Sequence, residues 1–302
     1  MALLPPFSQP GRFWRGNLHC HSRLSDGALP PEAVVEAYRA AGYDFMVLSD
    51  HFMARYNWPV ADTRDFRKPG FTTLIGAELH APATSIGEIW HILATGLPLG
   101  FAPLHDGETG PDIARRAHAA GALITIAHPA WSQLTLEDAR SIDCAHAVEV
   151  YNHVGAKLFD RSDGWVLLEQ CLRDGRRLNA IASDDAHFKF DDHFGGWVHV
   201  KSESLDPDAL LEALKRGHHY SSQGPLIESL ELDGRKLHVR CSPADAIIAV
   251  GASCKGTRQM GRAITSATLD LSGLEGGWFR VTILDGAGKR AWSNPCWWDE
   301  VS

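Results

Sequence analysis

Histidines and carboxylates recur in this chain where apolar runs end. In GNLHCHS, His19 and His21 alternate with Leu18 and Cys20. On a strand, a period of two puts both imidazoles on one face and both apolar side chains on the other, under a covering helix. Two ligands to one ion would then stand side by side, with Cys20 left as a packing residue. An HxH pair alone is weak evidence, but here it has company. Asp26 follows in SDG, His51 ends DFMVLSDH, Glu78 ends TTLIGAE, His128 ends ALITIAHP, and Asp185 and His187 follow LNAIAS. A buried His or Asp must be paired or bind metal, so core packing explains this recurrence poorly. Imidazoles mixed with carboxylates favour Mn, Fe or Zn over an all-oxygen Ca or Mg site. The set is larger than one ion needs, and Glu78, midway in it, is the natural bridge. Two or three divalent ions so held would lower the pKa of water and clamp the charge developing in a phosphoryl or acyl transition state.

Such residues need elements that bring them to one rim. The runs GNLHC, DFMVLS, TTLIGAE, WHILATG, ALITIA, HAVEVY and LNAIAS read as strands. Helical stretches lie between several of them: PPEAVVEAYRAAG, PDIARRAHAAG, TLEDARSI and RSDGWVLLEQCLRDG. Proline opens and glycine closes the first two, a common arrangement at helix ends. Strands alternating with helices imply parallel βαβ units, and seven of them suit a barrel better than an open sheet. In a parallel barrel every strand's C-terminal end opens on one face, where catalytic residues gather. His91 is the exception, since it starts its strand. The short span between TTLIGAE and WHILATG leaves no room for a full crossover helix. An antiparallel or re-entrant strand would still bring His91 to the shared rim.

The pattern changes after residue 200. LDPDALLEALKRG is one more helix, and then SLELDGRKLHVRC, ITSATLDLSG and WFRVTILDGAGKRAW read as strands with glycine turns, the first a hairpin around Asp233-Gly234. The expected division is a barrel over 1–224 and a small all-β appendage over 225–302, packed together without a linker. Trp278, Trp292, Trp297 and Trp298 would anchor that appendage.

With 44% hydrophobic and 22% charged residues, the 302-residue chain can bury a large core. Its net charge of −8, without a basic tract, disfavours binding a nucleic-acid polymer. Neither a signal peptide nor a membrane span is evident, and six scattered cysteines read as reduced thiols, so a cytoplasmic protein is expected. Nothing in the sequence sets an oligomeric state.

Taken in order, NLHCHSRLSDG, LSDH, GAE, the histidine of WHILATG, AHP and SDDAH resemble the PHP (polymerase and histidinol phosphatase) superfamily over roughly residues 16–190. The resemblance implies an α/β fold, a distorted (β/α)7 barrel, with a dinuclear or trinuclear site of Mn, Zn or Fe. Carried across the motifs, His19 and His21 would bind one ion with Glu78 and Asp185. Asp26, His51 and His187 would hold a second, and Glu78 would bridge to a third that His91 and His128 also bind. Asn17 departs from the family's usual Asp, which puts a hydrogen bond to a ligating histidine in doubt. Asp185 is preferred to Asp184 because the family pattern is DxH. GNLHCHS, SDG and AWSNP are also similar to the PHP subgroup that includes carbaryl-type carbamate hydrolases.

The expected function is a phosphoesterase that releases phosphate from a small anionic metabolite or nucleotide through a metal-bridging hydroxide, with Glu78 at the reacting centre and His187 or His153 as proton shuttle. The alternatives are a carbamate, ester or amide hydrolase on the same cluster, and a metal-stabilised partner module without activity. His80 could face the cleft, Asp50 reads as a hydrogen-bonding partner, and Asn152 could line the pocket. Arg23, Arg55, Lys157 and Lys189 are the cations near the rim that could meet an anion.

Overall fold

The computed structural model describes residues 1–252 and 254–301. All seven expected runs form strands: β1 (Arg12–Asn17), β2 (Phe45–Leu48), β3 (Thr72–Leu79), β4 (Ile92–Thr95), β5 (Leu123–Ile126), β6 (Ala147–Asn152) and β7 (Asn179–Ser183). β1, β2 and β3 pair in parallel, as do β5, β6 and β7. β4 is antiparallel to both β3 and β5. That reversal is what turns the start of β4, and His91 with it, toward the ends of its neighbours.

The first strand starts and ends earlier than expected. β1 stops at Asn17, and residues 18–21 run on beside the segment that follows β7. Asp185 N donates to His19 O at 2.9 Å, His21 N donates to Ala186 O at 2.8 Å, and Cys20 bridges Ala186 in parallel. The last of the seven strands thus meets the first at the end that carries the ligands. The alternation of side chains survives there: Cys20 packs with Val34, Val35 and Tyr38, while both histidines point the other way into the cluster.

Helices α1 (Pro31–Ala40), α2 (Gly110–Ala119), α3 (Leu136–Ser141) and α4 (Trp165–Arg173) cover the sheet. Thr109 and Thr135 each form a capping box with the aspartate three residues on, Asp112 and Asp138, satisfying amides that the first turn leaves free. Gly42 and Gly121 adopt φ of 80° and 96° just past α1 and α2, where a side chain would be strained. Strict βα alternation is not kept. Between β2 and β3 there are only two three-residue 3₁₀ turns and a short strand, His51–Phe52. YNWPVADTRDFRKPG carries two prolines and no apolar stripe of helical period, so it has no face to bury as a helix.

Beyond residue 190 come β8 (Trp197–Ser202), α5 (Pro207–Lys215) and β9 (His219–Ser222). The C-terminal strands are β10 (Ile227–Asp233), β11 (Lys236–Gly251), β12 (Gly256–Asp270), β13 (Trp278–Leu284) and β14 (Arg290–Ser293), with a four-residue helix at Trp298–Val301. β8 pairs with β1, and two further pairings run across residue 224: β9 with β14, and Ala2–Leu3 with β10. Trp278 and Trp292 pack into the same core as Phe52, Trp90 and Val148. The C-terminal strands therefore belong to one large mixed sheet. No helix among the described residues is long and apolar enough to cross a membrane.

Candidate metal centre

Glu78, at the end of β3, is fully buried and sits at the hub. Its Oε1 lies 2.7 Å from His91 Nδ1, 3.1 Å from His128 Nε2 and 3.7 Å from His19 Nε2. Its Oε2 lies 2.6 Å from His51 Nδ1, 3.5 Å from His80 Nε2 and 3.6 Å from His21 Nε2. Asp185 Oδ1 lies 3.0 Å from His21 Nε2 and 3.2 Å from His19 Nε2. On the outer side, Asp26 Oδ1 stands 3.3 Å from His51 Nε2 and 3.2 Å from His187 Nε2.

These atoms form four overlapping groups, each compact enough for one ion: His21, Asp26, His51 and His187; His51, Glu78, His80 and His91; His19, His21 and Asp185; and His19, Glu78 and His128. Every residue expected as a ligand is thus brought to one place. The grouping differs in detail. His21 also faces the Asp26 group, and His80, expected only to face the cleft, joins the Glu78 group.

The donor set fits cations. His19 Nε2, Glu78 Oε2 and Asp26 Oδ1 are buried and lack a hydrogen bond of proper geometry. Buried polar atoms ordinarily find a partner, and each of these three belongs to a residue of the four groups. The ionisation balance agrees. Burial alone would push the Glu78 carboxyl up, but His91, His51 and His80 hold it well below the usual range. Asp185, beside His19 and His21, is likewise held down against its burial. Burial works to lower His51, yet Glu78 and Asp26 push it up to about 10, whereas burial brings His91 down to about 4. Protons and histidine charge here do the work that bound cations would take over.

Backbone strain marks the same spot. His128 has φ of 22° and Asp185 of 60°, both outside ordinary L-residue territory. His128 N donates to Glu149 Oε2 at 2.6 Å, and Asp185 N is the donor to His19 O described above. These bonds hold the strained positions in place.

Glu149 is the residue that sequence reasoning missed. It is fully buried on β6, where its Oε1 accepts from Ser183 Oγ and lies 3.0 Å from His19 Nδ1. Its Oε2 also accepts from Asn152 Nδ2 at 3.0 Å. The signal was available: a glutamate inside the apolar run AVEVY must have a partner.

Asp184, the competitor of Asp185, makes other bonds. It accepts from Tyr38 Oη at 2.7 Å and from the amides of Phe194, Gly195 and Gly196 at 2.8–2.9 Å. Asp50 accepts from the amides and hydroxyls of Ser22 and Ser25, the partner role expected of it. Asn17 bonds His19 O, Tyr38 Oη and the Asp184 amide, so it steadies the backbone rather than a ligating ring.

A cavity of about 460 Å³ opens over the cluster. Asp26, His51, Glu78, His80, His91, His128, Asp185 and His187 line its floor; Asn152, Arg55 and Lys189 line its wall. The other two candidate cations are engaged elsewhere, Arg23 with Ala28 O and Lys157 with Asp191. His153 is a correction. It is not among the lining residues; it is buried, with Nδ1 2.8 Å from Tyr151 Oη and its ring against Gly195. The strand-to-loop junction turns it away from the cleft.

No protein-family model matches the chain, and neither does any curated protein. Solved structures do. A two-domain protein of Bacteroides vulgatus, containing a predicted PHP-like metal-dependent phosphoesterase, is similar over 94% of both chains, with a TM-score of 0.54 at 16% identity. A Bifidobacterium adolescentis protein, provisionally assigned as a metal-dependent phosphoesterase, is similar over 71% of this chain and 98% of its own, at 17% identity and a TM-score of 0.45. An amidohydrolase of Chromobacterium violaceum, with bound sulfate and no metal, covers 59% of this chain and 89% of its own, at 19% identity and a TM-score of 0.42. What the chain shares with the Bacteroides protein is the fold.

Proposed function

We propose that the protein is a metal-dependent phosphoesterase of the PHP type, built on a distorted (β/α)7 barrel, that hydrolyses a small anionic monoester. The observation that carries this reading is the cluster at and beneath the cavity floor, where buried ligand atoms of Asp26 and Glu78, which line the cavity, and of His19 lack hydrogen-bond partners. His19, His21, Asp26, His51, Glu78, His91, His128, Asp185 and His187 would hold two or three ions of Mn, Zn or Fe, with His80 as a further ligand. Such ions lower the pKa of water and neutralise charge on transferring oxygens.

The chain's own residues supply the rest. Glu78 joins the groups through both of its oxygens. Arg55 and Lys189 offer N–H donors at the cavity wall to the non-reacting phosphate oxygens. Lys189 Nζ rests 3.2 Å from Asp26 Oδ2, a pairing that an incoming phosphate would compete for. His187 Nδ1 lies 2.7 Å from Asp185 O, so that nitrogen carries the proton and Nε2 faces Asp26 as a ligand. A shuttling role for His187 would require it to leave that position. The cysteines, unpaired among the described residues, support a reducing, cytoplasmic setting.

The test is hydrolysis of 1-naphthyl phosphate and 1-naphthyl N-methylcarbamate by metal-loaded protein. Phosphate release that depends on Arg55 and Lys189, with KM raised roughly tenfold in either alanine variant, is expected. Turnover of the carbamate alone would replace this reading with the carbamate, ester or amide hydrolase. Turnover of neither, with metal bound, would favour the partner module.

A further inference from the structure

The upper wall of the cavity is not built like its floor. Around the mouth stand Met53, Ile89, Trp131, Leu158, Phe159 and Phe190. Ile89, Leu158, Phe159 and Phe190 are 36%, 45%, 50% and 62% exposed. Single exposed apolar residues are ordinary, but several gathered on one rim mark a binding surface. They come from separate segments, so no one helix face explains them.

Trp131 links the rim to the cluster. Its ring lies 5.1 Å from His128 and 5.4 Å from His91, edge to face, and 5.9 Å from Phe159 in the same manner. An apolar path therefore runs from the ligand histidines to solvent. Leu158 and Phe159 sit in a π-helical turn, Gly155–Phe159, that ends at Asp160 with φ of 54°. Such turns are rare and cluster at functional sites. Outside the cluster, the polar side chains lining the cavity are Arg55, Asn152, Lys189 and Asp192, and Asp192 is committed to the amides of His187 and Phe188.

We propose that this rim is the leaving-group subsite, and that the substrates are phosphate monoesters whose alcohol carries an aromatic or similarly bulky apolar group. The inference rests on the phosphoesterase reading for its headgroup only. An aromatic ring placed between Phe159, Trp131 and Phe190 would bury its faces against apolar and aromatic surface. A sugar or nucleoside in the same place would strip water from hydroxyls and base edges with few partners to replace it. The rim thus selects against polyhydroxylated alcohols as well as for apolar ones.

The experiment compares alcohols of similar acidity, so that leaving-group chemistry does not decide the result. Metal-loaded protein is assayed with 3-phenylpropyl phosphate, propyl phosphate, glycerol 3-phosphate and a nucleoside 5′-monophosphate. Binding of 3-phenylpropylphosphonate and propylphosphonate is measured alongside by calorimetry, which needs no turnover. The phenylpropyl compound is expected to lead the others by roughly tenfold or more in kcat/KM and in affinity, the scale of pocket discrimination by apolar contact. Phe159→Ser and Phe190→Ser, both at exposed positions, should bring those ratios toward one. Equal ratios in the native protein, preference for glycerol phosphate or the nucleotide, or ratios unmoved by both variants would overturn the proposal. If only a carbamate is turned over, 3-phenylpropyl against propyl N-methylcarbamate tests the rim in the same way, while the phosphoesterase reading fails by itself.

Discussion

Glu149 Oε1 lies 3.0 Å from His19 Nδ1, and both side chains are wholly buried. A carboxylate only accepts, so His19 must carry a proton on Nδ1, which leaves Nε2, the atom that faces Glu78 and Asp185, as the one that can bind a metal. Glu149 is thereby a positioning residue for the cluster. Replacing it by glutamine keeps the shape but not the charge. Glu149→Gln should lower metal affinity by about 10–100-fold while leaving the circular dichroism spectrum of the folded protein in place. Competition against a metal chelator measures this, and unchanged affinity would show that Glu149 does not position the cluster.

Cys20 tests the opposite assignment. It sits between His19 and His21, yet its sulfur lies 3.2 Å from Val47 O and packs beneath α1. Cys20→Ala should keep the full metal complement and cost about 1 kcal/mol of stability through a small cavity. Loss of an ion in that variant, by elemental analysis, would make Cys20 a ligand.

Tyr38 holds the ligand-bearing ends of β1 and β7 together through a bond chain. Its hydroxyl donates to Asp184 at 2.7 Å and accepts from Asn17 at 3.0 Å. Tyr38→Phe should destabilise the protein by about 1–3 kcal/mol, the usual cost of leaving buried polar partners unsatisfied. The midpoint of urea unfolding reports it, and a shift within error would show that water replaces the hydroxyl.

His219 is fully buried, and burial brings it down to about 4, while an unfolded chain would titrate it near 6.5. Between those values the unfolded state binds more protons, so stability falls as pH drops through that window. Burial brings His199 down further, to about 3, and adds to the same slope. Measured on metal-loaded protein, the loss of stability from pH 6 to 4.5 should be shallower in His219→Gln, by up to about 1.4 kcal/mol per pH unit. Parallel slopes would mean that His219 is protonated in the folded state.

Much of the site was legible because its chemistry is tied to strand ends. Apolar runs of strand length marked β2, β3, β5, β6 and β7, and the residues that end or follow them, among them Glu78, His128 and Asp185, reached one rim. His91 was placed through the missing crossover helix, and β4 is indeed antiparallel to both neighbours. Two of the differences concern direction after a strand ends. His153 and His80 both follow strands, and only backbone turning decides that His80 enters the cluster while His153 packs against Gly195. Glu149 was overlooked because it lies mid-strand, where apolar patterning hides one inward carboxylate. The joining of the C-terminal strands to the first part, through β9 with β14, depends on long-range pairing that no local pattern encodes.

The central claim is that Glu78 joins several ligand groups into one multinuclear centre. Its most direct test is metal content per chain, by mass spectrometry, for the native protein and Glu78→Ala after loading with manganese or zinc. Two or three ions in the native protein are expected, with at least one lost and hydrolysis abolished in Glu78→Ala while the fold is kept. Fewer than two ions in the native protein, or turnover that survives Glu78→Ala, would contradict it.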